Sequence, residues 1–170
     1  MSVSYSLSEA REALLSIARE HSPVEELQCH ALLELFETCH SLHDTLRREL
    51  AQHGLTENGF RILAFLVHRE GGAAAPAEIC RQLSLTRRIV SAALGRLEVS
   101  DLVATVRSDA GRRTFAMQVT AVGRKAFAAA LVPYLEAITQ LMSVLDDRDL
   151  TALDQACARL RQFSSHTPNR

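Results

Sequence analysis

A run of hydroxyl and guanidinium side chains in the middle of the chain is suited to contacting nucleic acid. Thr86, Arg87, Arg88 and Ser91 follow one another closely. A guanidinium can donate two parallel hydrogen bonds to guanine, while a hydroxyl suits a phosphate or a base edge. We expect Arg87 or Arg88 to read a base, and Thr86 and Ser91 to contact phosphates or base edges. Val90, within the same run, is expected to face the core.

Four more arginines follow this run. Arg96 and Arg107 are expected to contact phosphates or to play a structural part. Arg112 and Arg113 lie in a turn-forming segment. We expect them to reach the DNA backbone or the minor groove, where the negative potential attracts positive side chains.

The charges of the chain are distributed unevenly. Residues 81–125 contain nine basic and three acidic side chains, a formal charge of +6, so the remaining residues carry −7 of the total of −1. The total charge alone argues against a nucleic-acid binder. The basic segment, in contrast, has the electrostatic character of a duplex-binding surface, and it coincides with the residues named above.

A helix-turn-helix pattern must position the first of these residues. A helix opens at Thr56 and ends at Gly71-Gly72. Residues 76–83 then predict a short helix that begins with proline, and residues 87–100 predict a longer one. The three residues between them form a tight turn, which completes the pattern.

A β-hairpin is predicted directly after the helix-turn-helix. Residues 102–106 and 114–119 are typical of strands, and Gly111 lies in the turn that joins them. This order predicts a winged helix over residues 55–120. The predicted fold class is therefore mainly α, with a small β-hairpin as the wing.

Amphipathic helices are predicted on both sides of the winged helix. Their apolar residues repeat with helical spacing but have no core of their own, so we expect them to pair with the same helices of a second chain. The predicted helices cover residues 6–21, 23–53, 121–145 and a last segment from Asp147 or Asp149 to 163. Pro133 lies inside the helix over 121–145, where we expect a kink.

These elements divide the chain into four predicted parts. The winged helix is central, and the flanking helices form a homodimerisation region. The parts are an N-terminal extension helix over 1–22, the dimerisation region over 23–54 and 121–164, the winged helix over 55–120 and a flexible tail over 165–170.

The composition excludes several other classes of protein. No apolar run reaches the roughly 18 residues that a membrane span requires, and no secretion signal is visible, so we expect a cytoplasmic protein without a membrane partner. We find no nucleophile elbow, phosphate-binding loop or HExxH motif, and we expect no enzyme activity and no cofactor. Glu37, His40, His43 and Asp44 have the spacing of metal ligands on one helix face, but a polar stripe without metal is favoured.

The chain resembles the MarR family of transcription regulators. The stretch from Leu83 through Ser91, continuing to Leu97-Glu98, is similar to the family's recognition-helix region, and Gly54-Leu55-Thr56 also matches. The family's wing pattern corresponds to Gly111-Arg112-Arg113 followed, after five residues, by Val119-Thr120-Ala121-Val122-Gly123. Three positions depart from the family pattern: Gly111 replaces an Asp, Asp101 stands where a Gly is usual, and Ala92 replaces a commonly polar residue.

The resemblance implies a homodimeric regulator that binds a pseudo-palindromic DNA operator. We expect a repressor. The resemblance further implies a small aromatic or phenolic effector that releases the DNA, held between the winged helix and the flanking helices. The candidate lining residues are His40, His43, Phe60 and Arg61.

Two alternatives stay open. Winged helices also serve as protein-interaction modules, and the departures at Ala92 and Gly111 are compatible with that role. A thiol-based redox sensor using Cys29 or Cys39 is the other alternative. Neither thiol has an Arg or Lys nearby in sequence to lower its pKa, so burial as small apolar side chains is favoured.

Overall fold

The computed structural model describes residues 7–21, 23–107 and 115–166. Helices dominate these ranges, as predicted, and three short strands form one antiparallel sheet. In chain order the elements are α1 (Leu7–His21), α2 (Pro23–Gln52), α3 (Glu57–His68), a 3₁₀ turn (Glu70–Gly72), β1 (Ala73–Ala74), α4 (Pro76–Leu83), α5 (Arg87–Val99), β2 (Val103–Arg107), β3 (Phe115–Val119), α6 (Ala121–Met142) and α7 (Asp147–His166).

The predicted hairpin is present, and its sheet contains one strand that the sequence did not predict. Strands β2 and β3 pair antiparallel, with Val103 opposite Val119 and Arg107 opposite Phe115. The two-residue β1 pairs with the other edge of β3. Alanine has low strand propensity and two residues show no alternation, so β1 arises from its position beside β3 and not from its own sequence.

Threonine caps begin three of the helices. The hydroxyls of Thr56, Thr86 and Thr120 each accept a hydrogen bond from the backbone N–H three residues later, at 3.2, 3.4 and 2.9 Å. Each cap satisfies one of the N–H groups that a helix start leaves without an intrahelical partner. Thr120 also donates to the carbonyl of Asp101 at 2.7 Å, which fixes the start of α6 beside the start of β2.

The core of the winged helix lies between α3, α4, α5 and the sheet. Its most deeply buried side chains are 0–1% exposed, and the flanking helices α2 and α6 add Leu50 and Ala130 to the same cluster. The flanking helices are thus attached to the winged helix through apolar packing. The innermost side chains of the winged helix are Ile62, Leu63, Leu66, Ile79, Val90 and Val103.

Two predicted helix ends near the C-terminus were wrong by three residues. Helix α6 runs through Pro133 as one element and ends at Met142, not at residue 145. Helix α7 begins at Asp147, because the Asp146 carboxylate accepts the N–H of Asp149 at 2.8 Å and so caps the helix start. Helix α7 reaches His166, into the predicted tail. The sequence offers a stop only at Pro168, which disfavours helix for the residue before it.

No single helix in the described ranges is long and apolar enough to cross a membrane. Helices α6 and α7 pass that test of length and composition only as a pair, and the pair is bent by 102°.

Two glycines give opposite predictions for stability. A Cβ atom on Gly123 would overlap the carbonyl oxygen of Leu102, whereas one on Gly95 would meet nothing within 4 Å. We expect Gly123→Ala to lower the free energy of unfolding by about 1–3 kcal/mol because the backbone must move. The matched control Gly95→Ala should raise it by roughly 0.5–1 kcal/mol, because alanine favours a helix interior. Urea unfolding midpoints measure both, and equal shifts would contradict this packing.

Candidate nucleic-acid interface

One face of α5 is buried and the opposite face is open. Val90, Ala93, Leu94 and Leu97 are the buried residues of this helix. Because they share one face, the polar residues of the first turns must point outward. Thr86, Arg87, Arg88 and Ser91 are all exposed, and Val90 is 1% exposed, which confirms that it faces the core.

The turn between α4 and α5 directs these residues. Ser84 ends α4 in the left-handed region, with φ 53° and ψ 40°, and its N–H bonds the carbonyl of Cys80. The N–H of Leu85 donates to the same carbonyl at 3.0 Å, and the Thr86 side chain then caps α5. The turn is therefore held by hydrogen bonds on both sides, and the start of α5 has a defined direction.

The two arginines at the start of α5 are available to a ligand. Within the described ranges, neither Arg87 nor Arg88 forms an ion pair with an acidic side chain. Arg87 and Ser91 also border a groove of about 620 Å³ between α4, α5 and β3, which Met117 lines from the sheet. This end of α5 therefore presents cationic donors next to an open concave surface.

The remaining predicted arginines lie on other elements. Arg96 is exposed on the last turns of α5, and Arg107 is exposed at the end of β2. Arg112 and Arg113 lie outside the described residues. The candidate set therefore extends from the start of α5 to the last residue of β2.

Thr105 and Glu98, which the sequence analysis did not select as site residues, hold the hairpin against α5. The Thr105 hydroxyl, on β2, donates to the Glu98 carboxylate, on α5, at 2.9 Å. Asp101 connects the two elements with φ 57°. Asp is one of the few residues that tolerate this left-handed conformation, which explains how it replaces glycine at this turn. The glycine departure at Asp101 was the available signal for this turn.

A polar and aromatic cluster lies where α2, α3 and α6 meet, and we call it the junction. His43 of α2 forms a hydrogen bond with the Glu57 carboxylate at the start of α3. Phe60 of α3 contacts the rings of Phe127 and Tyr134 on α6, with centroids 5.1 and 4.8 Å apart. The junction joins the flanking helices to the winged helix.

The structure places three of the four candidate effector-lining residues at or beside the junction. His43 and Phe60 belong to it, and Arg61 follows Phe60 on α3 and acts electrostatically on Tyr134. His40 does not belong to it, since it is exposed and lies 3.4 Å from Asp44 within α2.

Tyr134 is the junction residue with a displaced pKa. Burial raises the pKa of its phenol, because the charged form loses hydration, and the nearby Glu57 carboxylate raises the pKa further. The Arg61 guanidinium opposes both effects and lowers the pKa. Tyr134 was missed by the sequence analysis because its partners lie on another helix.

The sequence also raised a metal site at the histidines of α2 and a redox role for Cys29 or Cys39. Among the described residues, no group of three His, Cys, Asp or Glu side chains could hold a metal ion. All four cysteines are free thiols, and Cys29 is half-buried. The expectation of burial was wrong for Cys39, which is exposed in the single chain.

Comparison with protein families gives a match over the central unit. A model of the MarR family matches residues 53–114. The central part of this chain is therefore similar to the MarR family. No curated protein is significantly similar to the chain.

Solved MarR-type structures share the fold well beyond the matched segment. AbsC, a MarR family transcriptional regulator from Streptomyces coelicolor, is 21% identical with a TM-score of 0.72, over 86% of this chain and 97% of its own. Sco3205 from the same organism, solved in complex with DNA, is 19% identical with a TM-score of 0.74, over 86% and 94%. The organohalide-sensing regulator RdhR-CbdbA1625, solved with 2,4-dichlorophenol, is 21% identical with a TM-score of 0.73, over 89% and 92%. The MarR fold therefore includes the flanking helices.

The opposed effects on Tyr134 can be measured by titration. In a Tyr5→Phe background Tyr134 is the remaining tyrosine, so the absorbance of tyrosinate reports its pKa alone. We expect Arg61→Gln to raise this pKa further, because a lowering charge is lost, and Glu57→Gln to lower it. Folding stability should fall as the pH rises above about 10, since the native state retains the proton longer. A pKa that both substitutions leave unchanged would contradict the junction geometry.

Proposed function

We propose that the protein is a homodimeric transcriptional regulator that binds double-stranded DNA and acts as a repressor. The observation that carries the proposal is the arrangement of α5. Its apolar face is buried in the core, and its first turns expose Thr86, Arg87, Arg88 and Ser91 with no acidic partner among the described residues. The structural likeness to a MarR regulator solved in complex with DNA supports the same reading.

The first turns of α5 enter the major groove in this proposal. The groove is about 12 Å wide and admits one helix, which is the docking geometry of helix-turn-helix proteins. Arg88 or Arg87 binds guanine through two hydrogen bonds, while Thr86 and Ser91 contact phosphates or base edges. Sequence preference therefore comes from the start of α5.

The wing supplies contacts that do not depend on base sequence. Arg107 ends β2, the strand that leads into the turn of the hairpin, and Arg112 and Arg113 follow within that turn in the sequence. They reach the backbone or the minor groove. Arg96, at the far end of α5, contacts a phosphate. The Glu98–Thr105 hydrogen bond supports these contacts by holding the hairpin at a fixed angle to α5.

The flanking helices form the dimer interface in this proposal. Large apolar side chains on them and in the turn between α6 and α7 are exposed in the single chain, at 75% for Leu27, 60% for Phe36, 57% for Val132 and, in the turn, 84% for Val144. Exposed apolar surface of this extent is typical of a protein–protein interface. A two-fold dimer presents two α5 helices about 34 Å apart, which requires a pseudo-palindromic site.

We place a small aromatic or phenolic effector at the junction. Phe127 and Tyr134, half-buried against the ring of Phe60, offer ring surfaces, and Arg61 offers a cation beside them. A ligand that prefers one arrangement of the flanking helices changes the spacing of the two α5 helices, which is a shift between two dimer populations. A similar solved regulator holds 2,4-dichlorophenol.

Selection of bound sequences from a random duplex pool tests the proposal directly. We expect enrichment of a palindrome whose half-sites are one helical turn apart. The enriched duplex should also lose affinity steeply with salt, by about one log unit per log unit of salt for each phosphate contacted. A pool without any enriched palindrome would favour the protein-interaction module.

Arg88 and Arg113 should have different effects on binding. We expect Arg88→Ala to weaken the enriched duplex by about 1–3 kcal/mol and to relax base preference, because a base contact is lost. Arg113→Ala should weaken matched and scrambled duplexes alike and reduce the salt slope by about one. Gel-shift titrations on both duplexes measure the difference, and unchanged affinity in both variants would overturn the assignment.

The dimer interface can be tested by sedimentation. We expect the wild-type protein to sediment at twice the chain mass of 18.8 kDa, and Phe36→Glu to shift it towards the monomer, because a charge is placed in the apolar interface. The control Val99→Glu changes a side chain that is 91% exposed on α5, and it should leave the dimer intact. A Phe36→Glu protein that remains dimeric at every dilution would exclude this face.

A further inference from the structure

Arg61 connects α3 to the end of α4. It is half-buried, and its Nη2 donates to the carbonyl oxygen of Leu83 at 3.0 Å. Leu83 is the last residue of α4, where carbonyls have no intrahelical partner and where a positive charge is favoured by the helix dipole. Arg61 therefore supplies a hydrogen-bond donor to the last carbonyl of α4, the first helix of the helix-turn-helix.

The carbonyl that Arg61 holds immediately precedes the turn that directs α5. Ser84, the next residue, is a non-glycine residue at φ 53°, an unfavourable conformation that persists only where its surroundings enforce it. Only Leu85 separates Ser84 from Thr86, the cap of α5. Any loosening at Leu83 is thus transmitted within three residues to the start of the DNA-reading helix.

The same guanidinium lies beside the junction. It acts electrostatically on Tyr134 of α6, and Glu57 precedes it by four residues on the same face of α3. Glu57 is in turn bonded to His43 of α2. Arg61 is therefore near groups of α3 and α6, and Glu57 links it to His43 of α2, while its hydrogen bond goes to α4.

We propose that Arg61 couples the charge of the junction to the order of the turn that positions α5. An anionic group brought to the junction draws the guanidinium away from the Leu83 carbonyl, the turn opens more often, and DNA affinity falls. Loss of negative charge at the junction has the opposite effect. The proposal rests on the proposed function and adds the route by which an organic acid bound at the junction would release DNA.

Hydrogen exchange of the Ser84 and Leu85 amides, measured on the full chain without DNA, tests the contact itself. We expect Arg61→Gln to speed their exchange by roughly 10- to 100-fold, because a charge-assisted hydrogen bond is lost. Arg61→Lys, which keeps the positive charge, should restore part of the protection. The control Arg48→Gln removes an arginine whose hydrogen bonds stay within α2, and it should leave both amides unchanged. Unchanged exchange in Arg61→Gln would overturn the proposal.

The charge dependence is tested by substitutions that differ only in charge. Tyr134→Glu should exchange faster at the two amides than the uncharged Tyr134→Gln, and Glu57→Gln should exchange more slowly than the wild type. Both differences should vanish when Arg61→Gln is also present. Differences that persist in the Arg61→Gln background would show that the coupling bypasses Arg61. If the Tyr134 variants fail to fold, the Glu57→Gln comparison decides alone.

The affinity for DNA and its salt dependence distinguish this role of Arg61 from a direct contact with a phosphate. We expect Arg61→Gln to weaken the enriched duplex at least several-fold while the salt slope stays unchanged, because Arg61 positions α5 and does not touch DNA. A slope reduced by about one would mean that Arg61 binds a phosphate, which would overturn the proposal. A wild-type protein that binds no duplex would remove the proposed function, while the exchange experiment would still test the coupling.

Discussion

Burial of one face of α5 is the constraint on which the proposed DNA-reading surface depends. Val90, Leu94 and Leu97 occupy the core between α3, α4 and the sheet, and a helix has no freedom to rotate once such a face is buried. The rotation of α5 about its own axis is set by apolar packing alone. Arg87 and Arg88 are exposed as a consequence, and no hydrogen bond or ion pair to another described side chain holds them outward.

Hydrogen bonds at the ends of the elements then fix the directions that packing leaves open. Thr86 caps α5, Thr120 ties the start of α6 to Asp101, and Thr105 holds β2 to Glu98. Each bond satisfies a polar group where a helix or strand begins or turns. The winged helix is therefore an apolar core whose surface geometry is determined at its element boundaries, close to the residues that are proposed to contact DNA.

The attachment of the flanking helices has a different character. Leu50 and Ala130 continue the apolar core, but the junction adds a histidine–carboxylate pair, a half-buried phenol and, beside them, a guanidinium that also reaches α4. Charged and hydrogen-bonded groups change their interactions when a ligand or proton arrives, whereas packed methyl groups do not. A contact built in this way can transmit a signal from the proposed dimer region to the proposed DNA-binding unit.

The sequence by itself determined the elements and the segregation of charge. Helical spacing, threonine caps and the turn at 84–86 are local signals, and the +6 segment could be counted directly. Only the tertiary structure decided which distant residues meet: β1 beside β3, Phe60 against Tyr134, and Arg61 on the Leu83 carbonyl. These partners are far apart in the chain, and their own residue types carry no pairing signal. Such contacts form only once the core has set the distances between helices, and for that reason the sequence could not specify them in advance.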